Sequence, residues 1–247
     1  MVSDSLKNGG LSLQRGDILA VASKVVSTCE RRVIRLTDVL ITPRAQRLAK
    51  RWRIDERLAA VVVKEADQIL GGVNGFILTV KNGILTPNAG VDLKNSPRGT
   101  ATLWPINPDR SAHQLRRNLE RLYKTKIGVE VVDSHVTALR LGTVGLAIGV
   151  SGFVPIRDRR GIRDIFGRSI RVTQANVADD MAAAAHSLMG ESAERIGAVL
   201  VRGAPLEACD GGNSEPIKLS RKKCLIGNSL ANVARRKAHK HSVNAAR

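Results

Sequence analysis

Aromatic residues are scarce in this sequence of 247 residues, where they make up only 2%. The core must therefore be built from Val, Ile, Leu and Ala, and binding by stacking of bases on aromatic rings is not expected. No apolar run approaches the length of a membrane span, and the N-terminus lacks the pattern of a secretory signal. We expect a protein with an aliphatic core and no membrane segment.

Cysteine is also scarce, and the sequence has neither of the common glycine-rich nucleotide-binding motifs. The three cysteines, Cys29, Cys209 and Cys224, are odd in number and lack the spacing of metal ligands, which favours a reduced, cytoplasmic protein. Neither GxxxxGK[ST] nor GxGxxG occurs in the sequence, so a P-loop or Rossmann fold is not predicted.

Acidic residues are too few to balance the basic ones, and the net charge is +18. Residues 209–247 hold nine Lys and Arg against two acids, which accounts for seven of these charges. This segment has no aromatic residue after Cys209 and no lasting apolar period, so we expect a folded domain over 1–208 and a disordered basic tail. A basic nucleic-acid-binding protein is the alternative, although no helix-turn-helix, zinc finger or aromatic RNA-binding motif is visible.

The secondary structure is predicted from periodicity, caps and turns. Strands are expected at Ile18–Ala22, Ile170–Thr173 and Ala198–Val201, and a hairpin is expected around Asn82-Gly83. Helices are expected to begin after Thr42, Asp55, Ser111 and Asp180. Such elements predict a mixed α/β or α+β fold with flanking helices.

Two acidic residues follow apolar runs. Asp133 comes with Ser134 and His135 directly after the apolar run Val129–Val132, and Asp92 lies in a loop rich in amide side chains. Carboxylates and amides in such loops suit a metal–phosphate site. The alternative is that each aspartate only caps its own turn.

Several motifs occur together in an order that resembles the coenzyme F420-0:γ-glutamyl ligases. The similarity covers roughly residues 12 to 206. The motifs are SKVVS (23–27), NAGVD (88–92) with Asn95, the strand before Asp133-Ser134, GFVPIRD (152–158), DIFGRSIRV (164–172), VADDMAAAAHSLMGES (177–192) and VLVRG (199–203).

The resemblance implies a GTP-dependent ligase that joins L-glutamate through its amine to F420-0 or a related phosphorylated acceptor. It implies γ-glutamyl linkages formed through an acyl phosphate, with release of GDP and phosphate. The implied cofactors are Mg²⁺ or Mn²⁺ and a monovalent cation such as K⁺. The family fold is a mixed α/β homodimer with intertwined subunits, neither Rossmann nor P-loop.

The resemblance also assigns roles to residues. It implies that Asp92 and Asp133 bind metal, that Ser134 replaces the family's metal-binding threonine, and that Glu191 joins a second metal. The residues implied to contact the nucleotide are Ser23, Lys24, Asn95, Met189, Gly190 and Glu191.

Three departures from the family pattern affect these expectations. Thr28 stands where the family usually has a second lysine, and SHVTALR follows Asp133 where the family commonly reads TFGRPWR. We also expect this chain to lack the family's N-terminal segment, which contributes nucleotide contacts. A different acceptor, or a truncated inactive or ligand-binding remnant of the family, is therefore the competing hypothesis.

Overall fold

The computed structural model of the protein describes residues 4, 6, 8–220 and 222–229. The strands are β1 (Ile18–Ala22), β2 (Val33–Arg35), β3 (Gln68–Val73), β4 (Phe76–Lys81), β5 (Ile84–Pro87), β6 (Thr100–Thr102), β7 (Gly128–Val136), β8 (Thr143–Ser151), β9 (Ile156–Asp158), β10 (Gln174–Asn176) and β11 (Ala198–Val201). The helices are α1 (Ser23–Cys29), α2 (Pro43–Trp52), α3 (Glu56–Glu65), α4 (Pro108–Tyr123) and α5 (Val177–Met189). The expected mixture of helices and sheets is confirmed.

The central layer is a four-stranded sheet in the order β11-β1-β7-β8. Strand β1 runs parallel to β7, and the other two neighbouring pairs are antiparallel. Side chains alternate along β1, so Leu19 and Val21 join one core cluster with α4, while Ile18 and Ala20 join a second with α5. Helices therefore cover both faces of this sheet.

The outer edge of β8 is protected by two aspartates at helix starts. Asp109, near the start of α4, accepts a hydrogen bond from the Val150 N–H at 2.9 Å. Asp179, in the first turn of α5, accepts one from the Ala147 N–H at 3.0 Å. These contacts occupy backbone N–H groups of β8 that could otherwise pair with a strand of another chain.

The second sheet has the order β3-β4-β5 and is antiparallel. Ile77, on its inner face, packs in a cluster with α3 and is fully buried. The outer face carries Val73, Phe76, Leu78 and Leu85, of which Val73 is 65% and Phe76 55% exposed. An apolar face is thus left open in this chain.

Two predicted helix starts and one predicted strand position were wrong because neighbouring residues form the cap or the strand pairing instead. Helix α4 begins at Pro108 rather than after Ser111, because the Asn107 side chain accepts the Arg110 N–H. Helix α5 begins before Asp180, because Asn176 caps it through the Asp179 N–H. The predicted strand at Ile170–Thr173 lies instead at Gln174–Asn176, where the chain pairs with β9.

The segment that follows the predicted domain boundary at 208 contacts the body. The Gly211 carbonyl accepts the Gly152 N–H, and Ser214 is fully buried with its hydroxyl donating to Asp109 at 2.9 Å. The predicted disorder of the tail stays a prediction, and residues 221 and 230–247 lie outside the described ones. No helix in the described part of the chain is both long and apolar enough to cross a membrane.

Candidate active site

A cleft of about 660 Å³ opens where four distant segments meet. The segments are the start of α1, the loop after β5, the end of β7 and the end of α5 with the residues that follow it. All nine residues with roles implied by the resemblance line this cleft: Ser23, Lys24, Asp92, Asn95, Asp133, Ser134, Met189, Gly190 and Glu191. The structure brings them together, and their individual roles stay predictions.

Asp133 is held through both carboxylate oxygens. Ser23 Oγ donates to Oδ1 at 2.6 Å, and the indole Nε1 of Trp104 donates to Oδ2 at 2.6 Å. Burial raises the pKa of Asp133 to about 6, although the two hydrogen bonds oppose the shift and the nearby Asp92 carboxylate adds to it. Asp133 is therefore oriented by groups outside its own strand.

The prediction that the strand ends before Asp133 was wrong. Strand β7 continues to Val136, and His135 pairs with Val144 of β8. Asp133 therefore does not cap a turn but lies on the same face of the sheet as Val131. Ser134, its neighbour in the strand, points to the opposite face and also lines the cleft.

Asp92 connects its own loop to α1. Its Oδ1 accepts the Lys94 N–H at 2.7 Å, which is the local turn contact expected of an isolated aspartate. Its Oδ2 also accepts from Lys24 Nζ at 2.7 Å, and the Lys94 carbonyl accepts from the same ammonium group. The Asp92 backbone is fixed by two hydrogen bonds with Thr102. Asp92 thus combines the turn role with a contact across the cleft.

Glu191 is the centre of a second set of polar contacts. Lys94 Nζ donates to its Oε2 at 2.6 Å, Thr143 Oγ1 donates to its Oε1 at 2.7 Å, and His186 Nε2 lies 2.9 Å from Oε1. Burial alone would raise the pKa of Glu191, but these partners together lower it to about 2. The same contact with Glu191 raises the pKa of Lys94. Glu191 is therefore an ionised group that joins three segments.

The end of α5 shapes the floor of the cleft. Met189 is the last residue of the helix and is buried, and Gly190 follows with φ +71°. A Cβ at Gly190 would collide with the Glu194 side chain. Asn95 then links the loop after β5 to this segment, because its Nδ2 donates to the Ser192 carbonyl at 2.7 Å.

The donor set fits a divalent cation only in part. Asp92 and Asp133 supply two nearby carboxylates, and hard cations prefer oxygen ligands of this kind. Lys24 is bound to Asp92 and Lys94 to Glu191, so each of these two carboxylates would exchange an ammonium contact for the ion. Over the described residues, no group of three or more His, Cys, Asp or Glu side chains is arranged around a common point for a metal. Asp92 and Asp133 are close enough for the charge of Asp92 to raise the pKa of Asp133, so this pair is the candidate to hold an ion.

Sequence reasoning missed four side chains that contact the predicted site residues: Lys94, Trp104, Thr143 and His186. Lys94, Trp104 and Thr143 are far in sequence from the site residues that their side chains contact, so only the tertiary structure reveals these contacts. His186 precedes Glu191 by five residues, and its contact is local. Thr28 lines the cleft as expected, with its hydroxyl donating to the Lys24 carbonyl at 2.8 Å.

Known proteins match most of the chain. The family model described as F420-0:gamma-glutamyl ligase matches residues 1–203. The coenzyme F420:L-glutamate ligase of Methanopyrus kandleri is 41% identical over 192 residues, which is 77% of this chain and 76% of that protein. The proteins of the same name from Methanothermobacter thermautotrophicus and Archaeoglobus fulgidus are each 36% identical. They cover 83% and 87% of this chain and 82% and 86% of their own lengths.

Proposed function

Because this chain belongs to the F420-0:γ-glutamyl ligase family, we propose that it joins L-glutamate to coenzyme F420-0 or a related phosphorylated acceptor. The proposal rests on one observation: residues of the SKVVS and NAGVD motifs line the same cleft as Asp133 of β7. Two direct contacts join these motifs, Ser23 with Asp133 and Lys24 with Asp92. Segments separated by 68 and 110 residues are thereby held in one polar site.

We propose GTP as the co-substrate, with its phosphates in the cationic part of the cleft. Lys24 and Lys94 bring two ammonium groups to this region, and Asn95 adds an amide beside them. Each ammonium is paired with a carboxylate of the site, Lys24 with Asp92 and Lys94 with Glu191. Charged donors of this kind are suited to bind phosphate oxygens and to stabilise the charge that moves during phosphoryl transfer.

Asp92 and Asp133 are the residues that would hold Mg²⁺ or Mn²⁺. The chemistry that such an ion supplies is neutralisation of charge on the phosphates. The carboxylates lie close enough for Asp92 to contribute to the raised pKa of Asp133. A cation between them would relieve that repulsion. Ser23 and Trp104 keep the Asp133 carboxylate in place for this role.

The proposed reaction has two group transfers. A carboxylate oxygen of the acceptor attacks the γ-phosphorus of GTP, which forms an acyl phosphate and releases GDP. The amine of L-glutamate, after losing a proton, then attacks the acyl carbon, and the C–O bond to phosphate breaks as the amide forms. The site residues bind and orient the phosphates in both steps, since positioning and electrostatics dominate such catalysis.

We also propose that the protein is a homodimer. The open face of the β3-β4-β5 sheet carries Val73, Phe76, Leu78 and Leu85 and no charged side chain. Val73 is 65% exposed, Phe76 55% and Leu85 47%, so several neighbouring apolar side chains of this face are open to solvent. Exposed apolar patches of this kind can mark interaction sites. A two-fold axis would place this apolar face of one copy against the same face of the other.

Incorporation of isotope-labelled glutamate into F420-0 in the presence of GTP and Mn²⁺ tests the proposed function. The parent chain should form labelled product and GDP in equal amounts. Asp92→Asn and Asp133→Asn should each lose most of the activity while remaining folded. A folded parent that binds GTP without forming product would support an inactive remnant. Salt-sensitive DNA binding without GTP binding would support a nucleic-acid-binding protein.

A further inference from the structure

Trp104 is a buried side chain that contacts both segments carrying the two aspartates. Its indole N–H donates to Asp133 Oδ2 at 2.6 Å. Its ring lies against Gly90, two residues before Asp92, where an added Cβ would collide with the ring. Gly90 has φ +69°, so the turn that leads to Asp92 is formed directly on the indole. Trp104 thus contacts Asp133 itself and the turn that leads to Asp92.

The position of Trp104 is set by the core and not by the cleft. Its carbonyl accepts from Arg32 Nε at 3.1 Å. Arg32 also binds Glu65 at 2.7 Å, and Glu65 binds the buried Lys81 at 2.6 Å. This ion network links Arg32, which directly precedes β2, to the end of α3 and to β4. The indole therefore projects from a fixed base toward Asp133.

The chemistry of indole suits a supporting role. An indole N–H donates one hydrogen bond and accepts none, so it stabilises an ionised carboxylate and does not compete as a metal ligand. The ring is rigid and bulky, which fixes the distance between the groups packed on its edge and its face. Because Ser23 holds the other oxygen of Asp133, loss of the indole donor would free one side of the carboxylate.

We infer that Trp104 is a positioning residue that sets the placement of Asp133 relative to Asp92 for binding a divalent cation. This inference rests on the proposed function, because it requires the two aspartates to bind the ion. Hydrogen-bonded partners of metal ligands commonly change metal affinity by about 10–100-fold when they are removed. Trp104 should therefore affect the metal requirement more than the stability of the fold.

The chain offers a matched control because it has two tryptophans, Trp52 and Trp104. Trp52 is half-buried in the cluster inside the β3-β4-β5 sheet, where its ring lies beside Gly72. Trp104→Phe keeps most of the ring and removes the N–H, and Trp52→Phe makes the same change away from the site. Circular dichroism and thermal unfolding should show that both variants are folded.

The first measurement is Mn²⁺ affinity in the presence of saturating GTP. Trp104→Phe should weaken Mn²⁺ binding about tenfold, while Trp52→Phe should leave it unchanged. Higher Mn²⁺ should restore glutamate ligation by Trp104→Phe, since the ligands remain. Equal Mn²⁺ affinity in parent and Trp104→Phe would overturn this inference alone. A parent that binds no Mn²⁺ would overturn the proposed metal site as well.

The second measurement leaves Trp104 intact and uses its fluorescence. In Trp52→Phe, Trp104 is the remaining tryptophan, and Mn²⁺ is a paramagnetic quencher that acts at short range. Added Mn²⁺ should quench this variant strongly and should hardly affect Trp104→Phe, whose remaining indole is Trp52. Introducing Asp133→Asn into Trp52→Phe should abolish the quenching. Equal quenching of the two single variants would contradict the proposed location of Trp104 beside the ion.

Discussion

The four-stranded sheet is covered by helices on both faces, whereas the three-stranded sheet is covered on one. The covered sheet nevertheless carries Glu130, a fully buried carboxylate with no hydrogen-bond partner among the described residues. The half-covered sheet has Thr79 on its buried inner face and Phe76 and Leu78 on its open face. Each sheet therefore carries side chains whose polarity is opposite to that of their surroundings in the single chain. In β4 apolar residues occur on both faces, Ile77 on the inner one and Phe76 and Leu78 on the open one, so alternation does not identify its covered face.

The largest difference in free energy of unfolding between the two sheets is expected when one phenylalanine of each region is replaced by alanine. Phe153 is 1% exposed in the core cluster under α5, and Phe76 is 55% exposed on the open face. Phe153→Ala should lower the free energy of unfolding by about 3–5 kcal/mol through cavity formation. Phe76→Ala should change it by less than about 0.5 kcal/mol in dilute, monomeric protein.

Denaturant titration with circular dichroism measures both free energies. A cost for Phe76→Ala that grows with protein concentration would show that the open face is covered in an oligomer, because subunit association is linked to stability. Equal costs for both variants in the monomer would contradict the contrast between the two sheets.

Glu130 should make stability depend on pH. Burial raises the pKa of Glu130 well above its usual value of 4.5, and the nearby Asp179 carboxylate raises it further. Above pH 4.5 the unfolded chain releases a proton that the folded chain keeps, so stability falls as pH rises through the folded pKa. Between pH 4.5 and the folded pKa, Glu130 should lower the free energy of unfolding by up to about 1.4 kcal/mol for each pH unit. Glu130→Gln should remove this loss of stability.

Urea unfolding of the parent and Glu130→Gln at a series of pH values checks this expectation. The stability difference between the two proteins should grow in favour of Glu130→Gln from pH 5 upward. A difference that stays constant with pH would show that Glu130 titrates normally.

Ser214 tests whether the segment after residue 208 belongs to the covered core. Its hydroxyl and backbone N–H both donate to Asp109, which also protects the edge of β8. Ser214→Ala removes one of these bonds and should cost about 1 kcal/mol. Thermal unfolding measures the loss, with the exposed Ser220→Ala as control. Equal melting temperatures of Ser214→Ala and the parent would argue against the observed packing.

The smallest effect on monomer stability is expected for a charge on the open face. Leu78→Lys places an ammonium group on a side chain that is 37% exposed, so the isolated chain should lose little stability. The same change should prevent association, because the lysine would be buried opposite its own image. Light scattering at micromolar concentration should give a dimer for the parent and a monomer for Leu78→Lys. A monomeric, folded parent would refute the proposed dimer.

Local sequence was sufficient for much of the fold. The strand at Ile18–Ala22, the helix that begins after Thr42 and the Asn82-Gly83 hairpin were all predicted, because caps and tight turns depend on a few adjacent residues. Cap choice was less certain, and Asn107 and Asn176 start helices that we expected to begin at later residues. In both cases an asparagine earlier in the chain accepts a backbone N–H of the first helical turn.

The candidate site also has features that local sequence predicted and features that it did not. The sequence by itself determined which residues have the chemistry for the site, since Ser23, Lys24, Asp92 and Asp133 stand in recognisable motifs. Only the tertiary structure decided that Ser23 and Trp104 hold Asp133, and that Lys94, Thr143 and His186 surround Glu191. Motifs are local, but all of these contacts except that of His186 join residues far apart in sequence, and their distances depend on how the sheets and helices pack.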